Sequence, residues 1–493
     1  MATPTQPRVS TACDPCRRRK VRCNGLQRCQ QCEHFDLRCT YTHTPRSRSR
    51  KNAARRGGVI SEYKKSVAKC AAGGAGVGLR RLALAPASEL QSRVTEAEAE
   101  AATTTSLTAS YFLNLIPEYL SCVYPFSPVI TEDEVRDSIR RMDSERTHAA
   151  FVYAFAAVTI DLTRSDVVQS APDTPDQITD LLHRSIEAQQ PLILGEHASV
   201  LRAMTSLFCE ICFMGLSQHD LGLYYLRDAI SMVHMLRIED PAALAKLDVT
   251  EHARRRRLYW QCFIHERFMA IARFTPAMMS PHPQSAVDDD PTLPPGISQG
   301  WTQLIRTFLP LDATFLDLWI DDRSRVTPEW IEQKHHELDD ARWELEVSML
   351  SELQQADLVI TRQWLRTLLW QLAMSNCLLS STTSRPSLSL SLPLRLSGEI
   401  RQFLTTISQD VIRIHGSGIL NKLLEIINTI ADVVIHMPQA TDEATTARIG
   451  DIVFLRNVIF SFPRIGTVSQ RILTEKFDLI RKRFPCIQVA LLL

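Results

Sequence analysis

CDPCRRRKVRCNGLQRCQQCEHFDLRC, residues 13–39, places six cysteines at C-x2-C-x6-C-x5-C-x2-C-x6-C spacing: Cys13, Cys16, Cys23, Cys29, Cys32 and Cys39. Each half supplies a C-x2-C pair and, after six intervening residues, a third thiol, so each half can grip one zinc ion through three sulfurs. A tetrahedral zinc takes four ligands, and six sulfurs satisfy two ions only when two of them bridge both metals. The loop between Cys16 and Cys23 reads Arg17-Arg18-Arg19-Lys20-Val21-Arg22, and five basic residues in six belong beside phosphate rather than in a core. Residues Met1 to Ser10 are polar with two prolines, which gives no apolar signal segment and argues against secreted disulfides. A redox C-x2-C motif needs a single pair in a βαβ context, and none surrounds these thiols. Zinc is the expected partner.

These residues resemble the fungal zinc binuclear cluster transcription factors, whose pattern admits the loop lengths found here. The resemblance implies that Cys13 and Cys29 bridge the two zinc ions. It also implies that the basic loop begins a recognition helix in the major groove of double-stranded DNA, over a CGG-like triplet. Lys20 then matches the base-reading lysine, Arg19 its basic neighbour, and Arg17, Arg18 and Arg22 complete the DNA-binding set. One departure is the connection Asn24-Gly25-Leu26-Gln27-Arg28, which lacks the proline many members carry before the fourth cysteine. Gly25 can take the positive φ that a tight turn there needs.

Composition supports a basic head on an acidic body. The net charge of the 493-residue chain is +1, yet Met1 to Lys69 carries 17 Lys and Arg against 4 Asp and Glu, while the remainder carries 39 against 51. A head so basic can neutralise several phosphates and release their counterions. Hydrophobic residues make up 45% of the chain, enough for a large core, and the thirteen cysteines point to a reducing compartment. No apolar run reaches membrane-spanning length uninterrupted: Arg202 and Glu210 interrupt Leu201–Leu216, and Lys422 and Glu425 interrupt Gly418–Met437. A soluble, intracellular protein is expected.

The zinc domain is assigned to residues 1–43 and a basic linker and connector to 44–105. Arg46, Arg48, Arg50, Lys51, Arg55 and Arg56 crowd the linker's start and suit both nuclear import and tracking along the phosphate backbone, so the nucleus is the expected location. Ile60, Tyr63, Val67 and Cys70 follow a heptad-like spacing, but Gly73, Gly74 and Gly76 end it short of the ~3 heptads a coiled coil needs, which leaves dimerisation through this stretch unsupported. Gly74, Gly76 and Gly78 do not make a nucleotide loop, because no strand precedes them and Leu79 and Arg81 stand where the closing glycine would fall.

From residue 106 onward helical periodicity prevails, so the fold class is a small two-zinc cluster domain plus a large all-α regulatory domain. Helices are expected over 107–120, from Thr131 (an N-cap with Glu134 as its capping-box partner), and over 146–163, 174–190, 197–216, 219–237 and 250–274. The proline- and acid-rich stretch 281–300 reads as a loop. Helices resume over 301–320, 328–353, 356–379, 397–415, 419–436, 448–460 and 468–483, with a Ser/Leu-rich break at 380–391. The regions 106–280 and 301–493 are the middle and C-terminal parts of this body. Leu226-Arg227-Asp228-Ala229-Ile230 through Leu236-Arg237-Ile238, and Arg254 to Trp260 through Arg267-Phe268 and Arg273 to Pro276, resemble the middle homology region of the same regulators. Glu266 stands where Asp is usual, and Phe274-Thr275 interrupts the Gly-Arg-Pro end. That resemblance implies a helical regulatory domain that senses a small molecule or restrains the activator.

Two other constellations have plainer readings. Arg254 to Arg257 could form a second DNA patch, but Leu258, Trp260, Phe263, Ile264 and Phe268 follow at helical spacing and bury one face, leaving the arginines as a ridge that pairs with acidic residues. Cys209, Cys212, Cys262 and His265 could hold a third metal, but both pairs lie in apolar helices where cysteine acts as a small buried hydrophobe.

No nucleophile elbow, phosphate loop or H-E-x-x-H signature is present, so an enzyme is the remote alternative. The expected function is a zinc-dependent, sequence-specific transcription factor of the RNA polymerase II type, with two zinc ions as cofactors. DNA, the transcription machinery or co-regulators, and a small-molecule effector are its expected partners. By resemblance alone the pathway reading is a secondary-metabolite gene cluster, with sugar-utilisation genes as the alternative.

Overall fold

A computed structural model describes residues 107–163, 174–189, 197–282, 290–320, 325–339, 342–436 and 442–484. The first helices are α1 (Ala109–Leu113), α2 (Ile116–Cys122), α3 (Glu132–Arg141), α4 (Arg146–Thr163), α5 (Thr174–Ala188), α6 (Val200–Gly215) and α7 (His219–Met235). They continue with α8 (Pro241–Leu244), α9 (Val249–Arg273), α10 (Pro295–Phe308), α11 (Ala313–Ile320), α12 (Pro328–Leu338), α13 (Trp343–Ser348) and α14 (Glu352–Ser375). The C-terminal part adds α15 (Leu392–Leu404), α16 (Gln409–Arg413), α17 (Gly416–His436), α18 (Asp442–Phe460) and α19 (Thr467–Arg483). Among the described residues no strand forms, and the only β-type pairing is the isolated bridge between Ser380 and Ser389 in the Ser/Leu-rich break. The all-α expectation holds for the described body.

Local chemistry sets the helix ends. Thr131 opens α3 with a capping box: its hydroxyl accepts from the Glu134 amide at 3.4 Å, while the Glu134 carboxylate accepts from the Thr131 amide at 2.8 Å. Asp248 caps α9 by accepting from the amides of Thr250 and Glu251, each at 3.0 Å. The helix stops at Phe274, whose φ of 58° lies in the left-handed region.

Prolines account for most departures from the expected spans. The run over 107–120 divides into α1 and α2 because Pro117 lacks an amide donor and takes a first-turn position. Pro310 separates α10 from α11 within 301–320. The end of the stretch read as loop, 295–300, is helical instead, because Pro294 and Pro295 are the N-cap and first residue of α10 rather than loop punctuation. Likewise 328–353 resolves into α12 and α13, and Ser408 starts α16 inside 397–415.

One continuous apolar core joins these helices. α6 packs on α4 and α7, α4 on α5, α14 on α17, and α17 on α18 and α19. Contacts between α6 and α17, and from α9 to α6, α7, α10 and α11, tie the N-terminal and C-terminal parts together. Surrounded in this way, α9 is buried around most of its circumference from Arg257 to Ile271 rather than on one face.

Candidate functional site

All six cysteines of the proposed zinc cluster, the basic loop from Arg17 to Arg22 and the run from Arg46 to Arg56 lie outside the described residues. The sites within reach of description are those of the helical body.

The arginines at the start of α9 pair with acidic residues as expected, but they are half-buried, and Arg257 is buried rather than on an open ridge. Arg254 pairs with Glu134 and Glu251, Arg255 with Glu251 at 2.7 Å, and Arg257 with Asp290 and the hydroxyl of Thr292. Further along the helix, Glu266 and Arg267 are almost fully buried. Glu266 accepts from the amides of Met278 and Met279 at 2.8 and 2.9 Å and from Arg227, while Arg267 donates to the Met279 carbonyl at 2.6 Å. These bonds clamp the segment after α9 back onto the helix, and Tyr259 adds a hydroxyl bond to the Ser280 carbonyl at 2.6 Å. A carboxylate buried among donors is stable only while those donors stay in place, so this clamp fixes the orientation of α9.

Cys209, Cys212 and Cys262 are core residues. Burial pushes the Cys209 thiol up to about 12 and raises the other two as well, which keeps them protonated at neutral pH. Among the described residues no group of three or more His, Cys, Asp or Glu side chains is arranged to hold an ion. His265 instead links Glu210 and Gln261. Its Nδ1 lies 2.7 Å from the Glu210 carboxylate, and its Nε2 lies 2.8 Å from the Gln261 amide nitrogen.

That Glu210–His265–Gln261 chain, from α6 and α9, forms one wall of a partly enclosed cavity of about 140 Å³. The opposite wall comes from α14, the turn after α16, and α17. There Lys422 donates to Asp357 at 3.1 Å and to the Thr361 hydroxyl at 2.6 Å. His415 bonds the Leu353 carbonyl at 3.0 Å and packs against Phe126, the ring centres being 5.2 Å apart. Burial pushes the Asp357 carboxyl up, but Lys422 and His415 outweigh it and hold the group below the usual carboxylate range. Burial depresses His415 below the ordinary histidine value. Phe268 and Phe308 supply apolar surface between the walls. Of the residues that line the cavity, Ser127 and Gln261 each bury one side-chain oxygen, the hydroxyl and the amide oxygen respectively, without a hydrogen-bond partner.

No motif in the sequence brings residues 210, 261, 265, 357, 415 and 422 together. The available signal was a charged residue inside a strongly apolar helix, as Glu210 in α6 and Lys422 in α17. A charge at such a position is retained only when the fold gives it a partner.

Comparison with known proteins adds two domain matches. A fungal Zn(2)-Cys(6) binuclear cluster domain matches residues 11–49, and a fungal specific transcription factor domain matches residues 110–285. Maltose fermentation regulatory protein MAL13 of Saccharomyces cerevisiae is 22% identical over 86% of this chain and 84% of its own length. Probable sucrose utilization protein SUC1 of Candida albicans is 23% identical over 64% of this chain and 62% of its own. Respiratory transcription factor ZNF1 of Saccharomyces cerevisiae is 20% identical over 64% of this chain and 68% of its own.

Proposed function

The chain carries the cluster domain and the middle region of the fungal zinc binuclear cluster transcription factors, and from that premise we propose that it regulates sugar-utilisation genes from the nucleus. Its cluster domain binds two zinc ions and DNA. The six thiols within 11–49 fit that demand in number and spacing, and we assign Cys13, Cys16, Cys23, Cys29, Cys32 and Cys39 as the ligands, with Cys13 and Cys29 bridging. Arg17, Arg18, Arg19, Lys20 and Arg22 face DNA, with Lys20 and Arg19 at base edges of a CGG-like triplet and the others at phosphates. The run Arg46, Arg48, Arg50, Lys51, Arg55 and Arg56 serves nuclear import and extends the phosphate contact. A regulatory body that recruits co-regulators and answers to a small effector, with no enzymatic reaction of its own, completes the reading.

The observation that carries the pathway is that the likeness to a maltose regulator runs over 86% of the chain, so it includes the helical body and not the cluster alone. A second relative named for sucrose utilisation points the same way, and both favour sugar utilisation over the secondary-metabolite reading. Transcript profiles of a strain lacking the chain, compared with its parent on maltose or sucrose, test the proposal. The expected result is loss of induction of transporter and glycosidase genes that carry CGG-type triplets upstream. Loss confined to a secondary-metabolite cluster would overturn the pathway and keep the regulator.

A further inference from the structure

We propose that the cavity between α6, α9, α14 and α17 is a binding site for a small organic cation with N–H donors, an alkylammonium or a guanidinium. The charges on its walls do not balance. Two carboxylates, Glu210 and Asp357, line the cavity against one ammonium, Lys422. Lys422 is committed to Asp357 at 3.1 Å and to the Thr361 hydroxyl at 2.6 Å, with its Nζ 5.6 Å from the centre of the Phe308 ring. Glu210, whose side chain is 4% exposed, bonds only to His265. That histidine brings no charge. With the Gln261 amide nitrogen donating to its Nε2, its single proton sits on Nδ1 and is donated to Glu210. One buried carboxylate charge is thus left without a counterion, a costly condition that a bound cation relieves.

The polar atoms still open on these side chains are acceptors. Glu210 meets His265 through Oε2, so its Oε1 makes no bond. Asp357 meets both Lys422 and Thr361 through Oδ1, which leaves Oδ2 free. His415 donates its Nε2 proton to the Leu353 carbonyl, and burial holds the ring neutral, so its Nδ1 is a bare acceptor. None of these three atoms is sealed off in the interior, as the Ser127 hydroxyl and the Gln261 amide oxygen are. An anion would meet like charge from two carboxylates, and a neutral hydroxyl compound would leave the Glu210 charge uncancelled. A cation with N–H groups supplies both the charge and the donors.

The remaining walls suit an organic stem. The rings of Phe126 and Phe268 line the cavity and offer apolar faces to an alkyl chain or to the cation itself. The cavity volume of about 140 Å³ is several times the ~10–15 Å³ that one water needs, so there is room for more than a bare ion. This chemical class rests on the cavity and is independent of which genes the chain controls. A cation held at Glu210 lies between α6 and α9 of the N-terminal part and α14 and α17 of the C-terminal part, the position from which a ligand can bias their packing.

Isothermal titration calorimetry on the full-length, zinc-loaded protein in amine-free phosphate buffer tests the site, with butylammonium, tetramethylammonium, glucose and acetate as probes. The expected result is saturable binding of butylammonium at micromolar to millimolar concentration. Tetramethylammonium, which has the charge but no N–H donor, should bind more weakly, and glucose and acetate should give no saturable heat. Glu210→Gln keeps an acceptor for His265 while removing the charge, and should weaken butylammonium binding ~10- to 100-fold. Relief of the unmatched charge should leave the melting temperature of that variant, without ligand, at or above the parent's. Ser417→Lys tests the site without touching the Glu210 network: Ser417 is half-buried on the cavity wall, and the new ammonium should compete with the ligand and abolish binding. Butylammonium binding that survives both substitutions, tetramethylammonium binding as tightly, or preference for glucose or acetate overturns the assignment. Silence with both cations overturns it as well, and assigns the counterion of Glu210 to an imidazolium at His265 with the Gln261 amide reversed. Calorimetry uses neither DNA nor transcription, so its failure leaves the regulator reading to the transcript profiles.

Discussion

At the scale of single residues, the buried charges and histidines show what this body tolerates. His335 on α12 is 6% exposed and its Nε2 has no partner, so burial, with Arg366 nearby, lowers its pKa to about 4. Below its ordinary value of about 6.5 the unfolded chain takes up a proton that the folded chain refuses. Stability is therefore full above that value and is lost as the pH falls toward about 4. Urea midpoints measured near pH 7 and near pH 5 should show His335→Leu spared about 2 kcal/mol of the acid-induced loss suffered by the parent. Equal losses would mean that His335 protonates freely in the fold. Glu266 gives the contrasting case, a buried carboxylate that keeps its bonds. From the sequence it stood out only as a departure from the aspartate usual in its motif. The structure supplies a physical reason for a longer arm, since one carboxylate reaches the amides of both Met278 and Met279 while still meeting Arg227.

At the scale of elements, periodicity and capping were legible and the breaks were only partly so. The span read as 146–163 is α4 to the residue, and the Thr131 capping box is present with both of its bonds. The losses came where proline has two opposite meanings. Pro295 and Pro328 open helices at their first positions, whereas Pro310 ends one, and the residue alone does not say which applies. Tertiary position is equally silent in a linear pattern, so α9 read as amphipathic but is enclosed by four neighbours. The cap, by contrast, makes a quantitative prediction. Thr131→Ala removes the acceptor of the Glu134 amide and should destabilise the first turn of α3 by ~0.5–1 kcal/mol, given a bond as long as 3.4 Å. Hydrogen exchange at the amides of residues 132–134 should then accelerate ~2- to 5-fold while the core of α4 is unaffected. Unchanged exchange would assign the start of α3 to the Glu134–Arg254 pair instead.

At the scale of the whole molecule, the chain joins two parts that are stabilised by different physics. The helical body buries a continuous apolar core across α1 to α19, and among its described residues no side-chain group is placed to hold a metal. The cluster domain is about 40 residues long, below the size at which a chain buries enough surface to fold unaided, so its folding energy is metal-binding energy. The candidate zinc site was therefore legible from cysteine spacing alone, because ligand chemistry demands that spacing. The cavity in the body was not, because its polar atoms come from residues up to about 300 positions apart. Removing zinc should separate the two parts. A strong chelator is expected to abolish binding to a CGG-containing duplex completely, while far-ultraviolet circular dichroism at the helical minimum and the melting temperature of the body stay close to those of the loaded protein. Binding before chelation should also weaken steeply with salt, since 17 basic residues in the first 69 displace counterions from DNA. Retained DNA binding after verified metal loss would remove zinc from the reading mechanism, and collapse of the helical signal would show that the body depends on the metal as well.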